Sequence, residues 1–123
     1  MAKFTDNLVL DAALDEIAKA NALHVCVGAV TTRAAVITAS KGNYPLTPGA
    51  PGADFAIADD TSGRKLTVTA QTGGTATGSG DVDHIALIDG TNLYAVATCT
   101  PQTVVASSAF DVSEFKINLT DPT

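Results

Sequence analysis

Apolar and polar residues change period along this chain, and the clearest signal lies between Asp81 and Thr100 (DVDHIALIDGTNLYAVATCT). Two apolar runs, His84–Asp89 and Leu93–Thr100, flank Gly90-Thr91-Asn92. Short apolar runs bounded by turn residues predict buried antiparallel strands. If Ile88 faces Leu93, then Leu87 faces Tyr94, Ala86 faces Ala95 and Ile85 faces Val96. Both faces of this hairpin are then apolar, which predicts a central position with a cover on each side. A second sheet and an N-terminal helix are the expected covers.

The remaining pattern supplies those elements. Leu10, Leu14 and Ile17 recur at helical spacing with Ala13, Ala18 and Ala20 beside them, predicting an amphipathic helix over about residues 5–21. Thr5 is its expected N-cap, with Phe4 and Val9 at staple spacing. Asp15 and Lys19 stand one turn apart on the polar side. Leu23–Ala29 predicts a strand closed by Gly28. In Arg33–Ala39 a short helix capped by Thr31 or Thr32 and ended by Gly42 competes with a strand over Val36–Thr38. Tyr44–Gly52 (YPLTPGAPG) holds three Pro and two Gly and predicts an extended surface loop. Asp54–Ala58 predicts a strand, Asp59–Gly63 a polar turn, and Arg64–Gln71 a strand with Leu66, Val68 and Ala70 on its buried face. Thr72–Gly80 reads as a flexible segment or loose edge strand. Pro101 is expected to stop the hairpin's second strand, with another short strand at Thr103–Ala106 and a turn at Ser107-Ser108. Phe110–Leu119 predicts a last strand with Phe115, Ile117 and Leu119 on one face. The expected fold is mainly β (α+β): an antiparallel β-sandwich or barrel-like core with one N-terminal helix, in a single domain over residues 1–123.

Composition narrows the function classes. Charged residues make up 16% of the chain and aromatic residues 5%, so the core must be built from small aliphatic side chains. The net charge of −6 argues against nucleic acid, whose phosphates need clustered Lys and Arg. No apolar run is long enough to cross a bilayer, and MAKFTDN lacks a signal-peptide core, so synthesis in the cytoplasm is expected. Cys26 and Cys99 both lie in apolar strand patterns and read as buried free thiols, with a disulfide between adjacent strands as the alternative.

Candidate chemistry is sparse. Asp81, Asp83 and His84 form the most metal-like cluster and Asp59-Asp60 a second, but neither has EF-hand spacing or enough His and Cys for zinc. His24 and Cys26 share a strand face, yet a nucleophilic thiol needs an exposed electropositive pocket. TGGTATGSGD lacks the Lys and the helix of a phosphate cradle. Glu16 and Glu114 are the only glutamates and both read as exposed, which leaves no carboxylate pair for glycosidic chemistry. No catalytic, cofactor-binding or metal-ligating residue is assigned, and the expectation is a protein that is not an enzyme and carries no cofactor.

Taken together, LHVCVGA, SGRKLTV, DHIALIDG, YAVATCT and the closing DPT give a pattern covering nearly the whole chain. It resembles small structural proteins of tailed bacteriophages and prophages, either head-decoration (cement-like) or tail-associated. The resemblance implies a virion protein on the capsid surface that binds and bridges major capsid protein subunits, and a homo-oligomer, a trimer on a threefold lattice position. Met1–Thr5, Tyr44–Gly52 and Thr120–Thr123 are the segments it would use as bridges. A tail, adaptor or fibre-associated protein is the second reading. A carbohydrate-binding host-attachment module is the third, and for it Tyr44 would be the stacking ring.

Overall fold

The structure is a computed structural model and describes residues 6–61 and 63–119. In chain order its elements begin α1 (Asn7–Ile17), β1 (Ala22–Cys26), α2 (Arg33–Ala39), β2 (Ser40–Pro45), β3 (Phe55–Asp59) and β4 (Arg64–Val68). They continue β5 (Gln71–Thr75), β6 (Gly80–Ile88), β7 (Leu93–Val104), β8 (Ala109–Val112) and β9 (Phe115–Leu119). The protein is mainly β, 50% strand against 16% helix, and its strands pair antiparallel, which gives the α+β class that the sequence predicts. The fold divides into two compact units interleaved along the chain. One takes the chain up to Lys19, then Thr47–Ala70 and the chain from Ser113; the other takes Ala20–Leu46 and Gln71–Val112.

In the first unit, α1 is capped by Asp6, whose Oδ1 accepts from Leu8 N–H at 2.8 Å. The expected cap Thr5 and staple residue Phe4 lie outside the described residues. The helix ends at Ile17, short of the expected 21. At its end Lys19 N–H turns to Glu16 C=O at 3.3 Å in a tightened last turn, and Ala18 C=O accepts from Gly49 N–H at 2.8 Å. Leu10, Leu14 and Ala18 are buried at i, i+4 spacing, while Ala13 is exposed. Lys19 pairs with Glu16 at 2.6 Å, an exposed contact of little energetic weight.

The sheet of this unit runs β3-β4-β9, and α1 packs on β4. Leu66 and Val68 are fully buried and alternate with half-buried Lys65 and Thr67, as the sequence pattern requires. Ala70, expected on the same face, is exposed because β4 ends at Val68. Phe55 on β3 is fully buried, and Phe115, Ile117 and Leu119 are half-buried along one face of β9. Arg64 fastens the helix to the sheet: Nε and Nη2 donate to the two Asp11 carboxylate oxygens at 2.7 and 3.2 Å, and Nη1 donates to Asp59 at 2.7 Å.

In the second unit the sheet order is β2-β1-β6-β7. On one face of β1 and β6, Cys26, Ala86 and Ile88 form a core with Val30 and with Val36 of α2. Thr32 caps α2, its Oγ1 accepting from Ala35 N–H at 3.1 Å, which decides for helix in this stretch. On the other face Leu23, Val25, Ile85 and Leu87 are buried. Tyr44 and Gly42 of β2 lie opposite Leu23 and Val25 and therefore share that face. Over them sits a ribbon of β5 and β8: the Tyr44 and Phe110 rings meet edge to face at 4.9 Å, and the Tyr44 hydroxyl donates to Phe110 C=O and accepts from Gly74 N–H at 2.8 Å. Within this unit the covers of the sheet are the second helix on one face and a two-stranded ribbon on the other. The chain folds Gly42 into a strand instead of ending the helix there, and it splits the expected 110–119 strand into β8 and β9.

A methyl group on Gly42 would stand 2.6 Å from Phe110 Cε1, so the ring would have to leave its edge contact with Tyr44 or the strand would have to shift. Gly42→Ala should therefore destabilise the protein by about 1–3 kcal/mol through overpacking. A urea titration of the two proteins, read by far-UV circular dichroism, checks this.

Candidate functional site

The β6–β7 hairpin is organised at its tip by one carboxylate. Asp89 Oδ1 accepts from Thr91 N–H and Asn92 N–H, each at 2.7 Å, and Oδ2 accepts from the Tyr94 hydroxyl at 2.6 Å. Asp89 C=O accepts from Arg33 Nε at 2.6 Å, which ties the tip to the start of α2. The Tyr94 bond and the two loop N–H groups hold the Asp89 carboxyl down to about 2, because all of them favour the ionised form.

This tip changes the register. Ile88 faces Leu93 as expected, but Leu87 faces Ala95, Ala86 faces Val96 and Ile85 faces Ala97. Tyr94 is the extra residue of a β-bulge, drawn back toward Asp89, so the Leu87–Tyr94, Ala86–Ala95 and Ile85–Val96 pairings expected from the sequence do not form. A second irregularity follows. Val82 faces Gln102 and His84 faces Thr98, so Cys99, Thr100 and Pro101 bow out against Asp83 alone. The strand does not stop at Pro101 but continues to Val104.

Pro101 is tolerated because β7 is an outer strand of its sheet and not the central element expected of it. Val96, Thr98 and Thr100 are exposed, and their neighbours Ala95, Ala97 and Cys99 are half-buried. No Asp, Glu, Lys or Arg occurs between Leu93 and Phe110. An edge of this kind presents unpaired backbone N–H and C=O groups, and proteins ordinarily guard such edges with charge. In the first unit, α1 shows an apolar patch of its own, Leu8 and Val9 at 78% and 61% exposure.

The residues weighed for chemistry are dispersed among structural bonds. His24 Nδ1 lies 2.8 Å from Ser40 Oγ, and the Cys26 thiol reaches Val36 C=O at 3.9 Å. Burial first, and then the Arg33 charge, depress the His24 pKa, while burial raises Cys26 to about 11. Asp83 accepts from Gly28 N–H at 2.8 Å and lies 2.7 Å from His84 Nδ1; both contacts lower its pKa, the His84 bond more. Asp81 accepts from the Thr103 hydroxyl at 2.6 Å. Asp59 meets Arg64, whereas Asp60 meets Thr61 N–H and Asn118, so the two carboxylates serve different partners. Among the described residues no group of three or more His, Cys, Asp or Glu is placed to hold a metal ion. Cys26 and Cys99 are free thiols on β1 and β7, strands separated by β6.

Tyr44 is buried at 6% exposure, so the ring that the carbohydrate reading needs on the surface is a core residue. Of the Tyr44–Gly52 loop, Tyr44 and Leu46 are buried, while Pro45 and most of the part from Thr47 are exposed. The terminal bridging segments Met1–Thr5 and Thr120–Thr123 lie outside the described residues. Comparison with protein-family models, with curated proteins and with solved structures finds no match for this chain. Among the described residues no helix is long and apolar enough to cross a membrane.

Sequence reasoning missed the edge position of β7. The signals for it were present: a Pro eight residues into an apolar run, and a long uncharged stretch in an otherwise acidic chain.

Two outcomes test this geometry. Tyr94→Phe removes the largest cause of the low Asp89 pKa, which should rise from about 2 toward ordinary aspartate in an NMR titration of its carboxyl carbon. The sign follows from the depressed folded value. Asp89 stabilises the hairpin above the unfolded carboxyl's pKa, and that contribution is lost as pH falls toward about 2. In the variant this contribution is smaller and its loss is complete at a higher pH. Second, maleimide at neutral pH should label Cys99 well before Cys26, whose thiol is fully buried and rarely ionised; peptide mapping reads the order.

Proposed function

We propose that this chain is a non-enzymatic virion structural protein of a tailed bacteriophage. In this reading it is a capsid decoration protein that binds and bridges major capsid protein subunits and works as a homo-oligomer on the capsid surface. The observation that carries the reading is the outer strand β7, twelve residues long and uncharged, with Val96 exposed at 37% and Val105, just past its end, at 54%. A long edge without charged residues suits a protein whose work is to adhere to others. The resemblance of the sequence pattern to decoration and tail-associated proteins supplies the kind of partner. Small aliphatic cores with dense side-chain-to-backbone bonding, such as those around Asp89 and Tyr44, favour a rigid block. Many weak attachments on a lattice then sum to firm binding.

Quantitative mass spectrometry of purified particles, with heads and tails analysed apart, tests the proposal. A decoration protein should be found with heads at on the order of hundreds of copies per particle. A few copies, confined to tails, would make it a tail, adaptor or fibre-associated component instead. Absence from every particle would overturn the virion reading.

A further inference from the structure

We infer that Asp89-Gly90 is a site of spontaneous backbone modification, rearrangement to isoaspartate, and that the three hydrogen bonds on the Asp89 carboxylate hold it closed in the folded chain. Gly90 is the only glycine in the sequence that follows an Asp or an Asn. A side-chain carboxyl beside a glycine amide can cyclise onto it, because the glycine has no Cβ to hinder its nitrogen. At this tip the glycine is exposed, and the place a Cβ would take meets nothing within 4 Å. The hairpin therefore supplies both the residue pair and the space that the reaction needs.

The chemistry is a ring closure followed by hydrolysis, with no change of oxidation state. The Gly90 nitrogen bonds to Asp89 Cγ as one Cγ–O bond breaks. That oxygen leaves as water, taking the carboxyl proton and the amide proton, and a five-membered succinimide remains. Water then opens the ring. Attack at the side-chain carbonyl restores aspartate. Attack at the main-chain carbonyl leaves the chain running through Cβ and Cγ, one methylene longer.

The contacts of Asp89 oppose the first step in two ways. Loss of water needs the neutral carboxyl, whereas the Tyr94 hydroxyl and the Thr91 and Asn92 N–H groups all favour the carboxylate. A carboxyl held at about 2 in place of the usual 3.9 or so is neutral on the order of a hundred times less often at neutral pH. The two loop N–H groups also fix Oδ1 over the turn, so the side chain must give them up to present Cγ to the Gly90 nitrogen. Once the rearrangement has occurred, the former Asp89 carbonyl is a free carboxylate. Arg33 Nε then faces a different group, and the acceptor that gathers the tip is built into the main chain.

The inference is independent of the virion reading, and purified protein tests it. In water enriched in heavy oxygen, each passage through the succinimide leaves a label at residue 89, and fragmentation mass spectrometry counts both the label and the isoaspartate. At neutral pH the folded native chain should acquire both at least about tenfold more slowly than the same chain unfolded in urea. This comparison needs no variant. Tyr94→Phe, checked for folding by circular dichroism, should react at least about fivefold faster than the native chain when folded, and at the native rate when both are unfolded. Arg33→Gln cuts the tie between the tip and α2 but leaves the carboxylate bonds in place; it should stay within about twofold of native. Equal native rates in the folded and unfolded states overturn the inference. So does a folded Tyr94→Phe no faster than native, or isoaspartate that accumulates first at another residue. If Arg33→Gln accelerates as much as Tyr94→Phe, stiffness of the tip and not the bonded carboxylate sets the rate, and the inference fails.

Discussion

β1 and β6 run antiparallel through the second unit with apolar side chains on both faces, and a strand pair of that kind has to be covered twice. The arrangement of the unit answers that requirement. Val36 of α2, with Val30 beside it, closes the face that carries Cys26, Ala86 and Ile88. The β5–β8 ribbon lies across Gly42 and Tyr44 on the other face, where the absence of a side chain at Gly42 admits the Phe110 ring. Burying six or so aliphatic side chains in this way contributes on the order of 10 kcal/mol before the entropy of ordering the chain is counted.

Polar groups at the margins of these layers set geometry more than they add stability. Asp89 gathers two loop N–H groups and one hydroxyl, and the bulge at Tyr94 results. Arg64 binds two carboxylates on different elements, so one guanidinium fixes how α1 lies on its sheet. His24, Asp81 and Asp83, the residues of most chemical interest in the sequence, are each engaged in bonds that hold neighbouring strands or turns together.

Much of the fold is legible in the sequence wherever one periodicity dominates. The α1 stripe, the alternation at Leu66 and Val68, the Ile88–Leu93 pairing and the mainly β class are all visible there. The departures come from side chains acting across distances that a local pattern does not encode. Asp89 reaches Tyr94 and slips the register by one residue. Gly49, far along the chain, bonds the Ala18 carbonyl where the helix ends. Tyr44, placed among Pro and Gly, reads as a surface ring, yet its partner Phe110 lies far along the chain and draws it inside. For the candidate site, the apolar character of Leu93–Thr100 is readable but its place at the edge of the sheet is not, because apolar content predicts burial and strand order is a tertiary property.

The two units are not consecutive in the chain: the polypeptide leaves and re-enters each of them, crossing after Lys19, Leu46, Ala70 and Val112. No contiguous fragment therefore contains the strands of the β3-β4-β9 sheet without also carrying β5 through β8. Gene truncation or shuffling has no clean seam to use, so the chain must be inherited, expressed and replaced as a whole. For the same reason, a nick between β3 and β4 would leave strands of that sheet on both resulting pieces, held together only by non-covalent pairing.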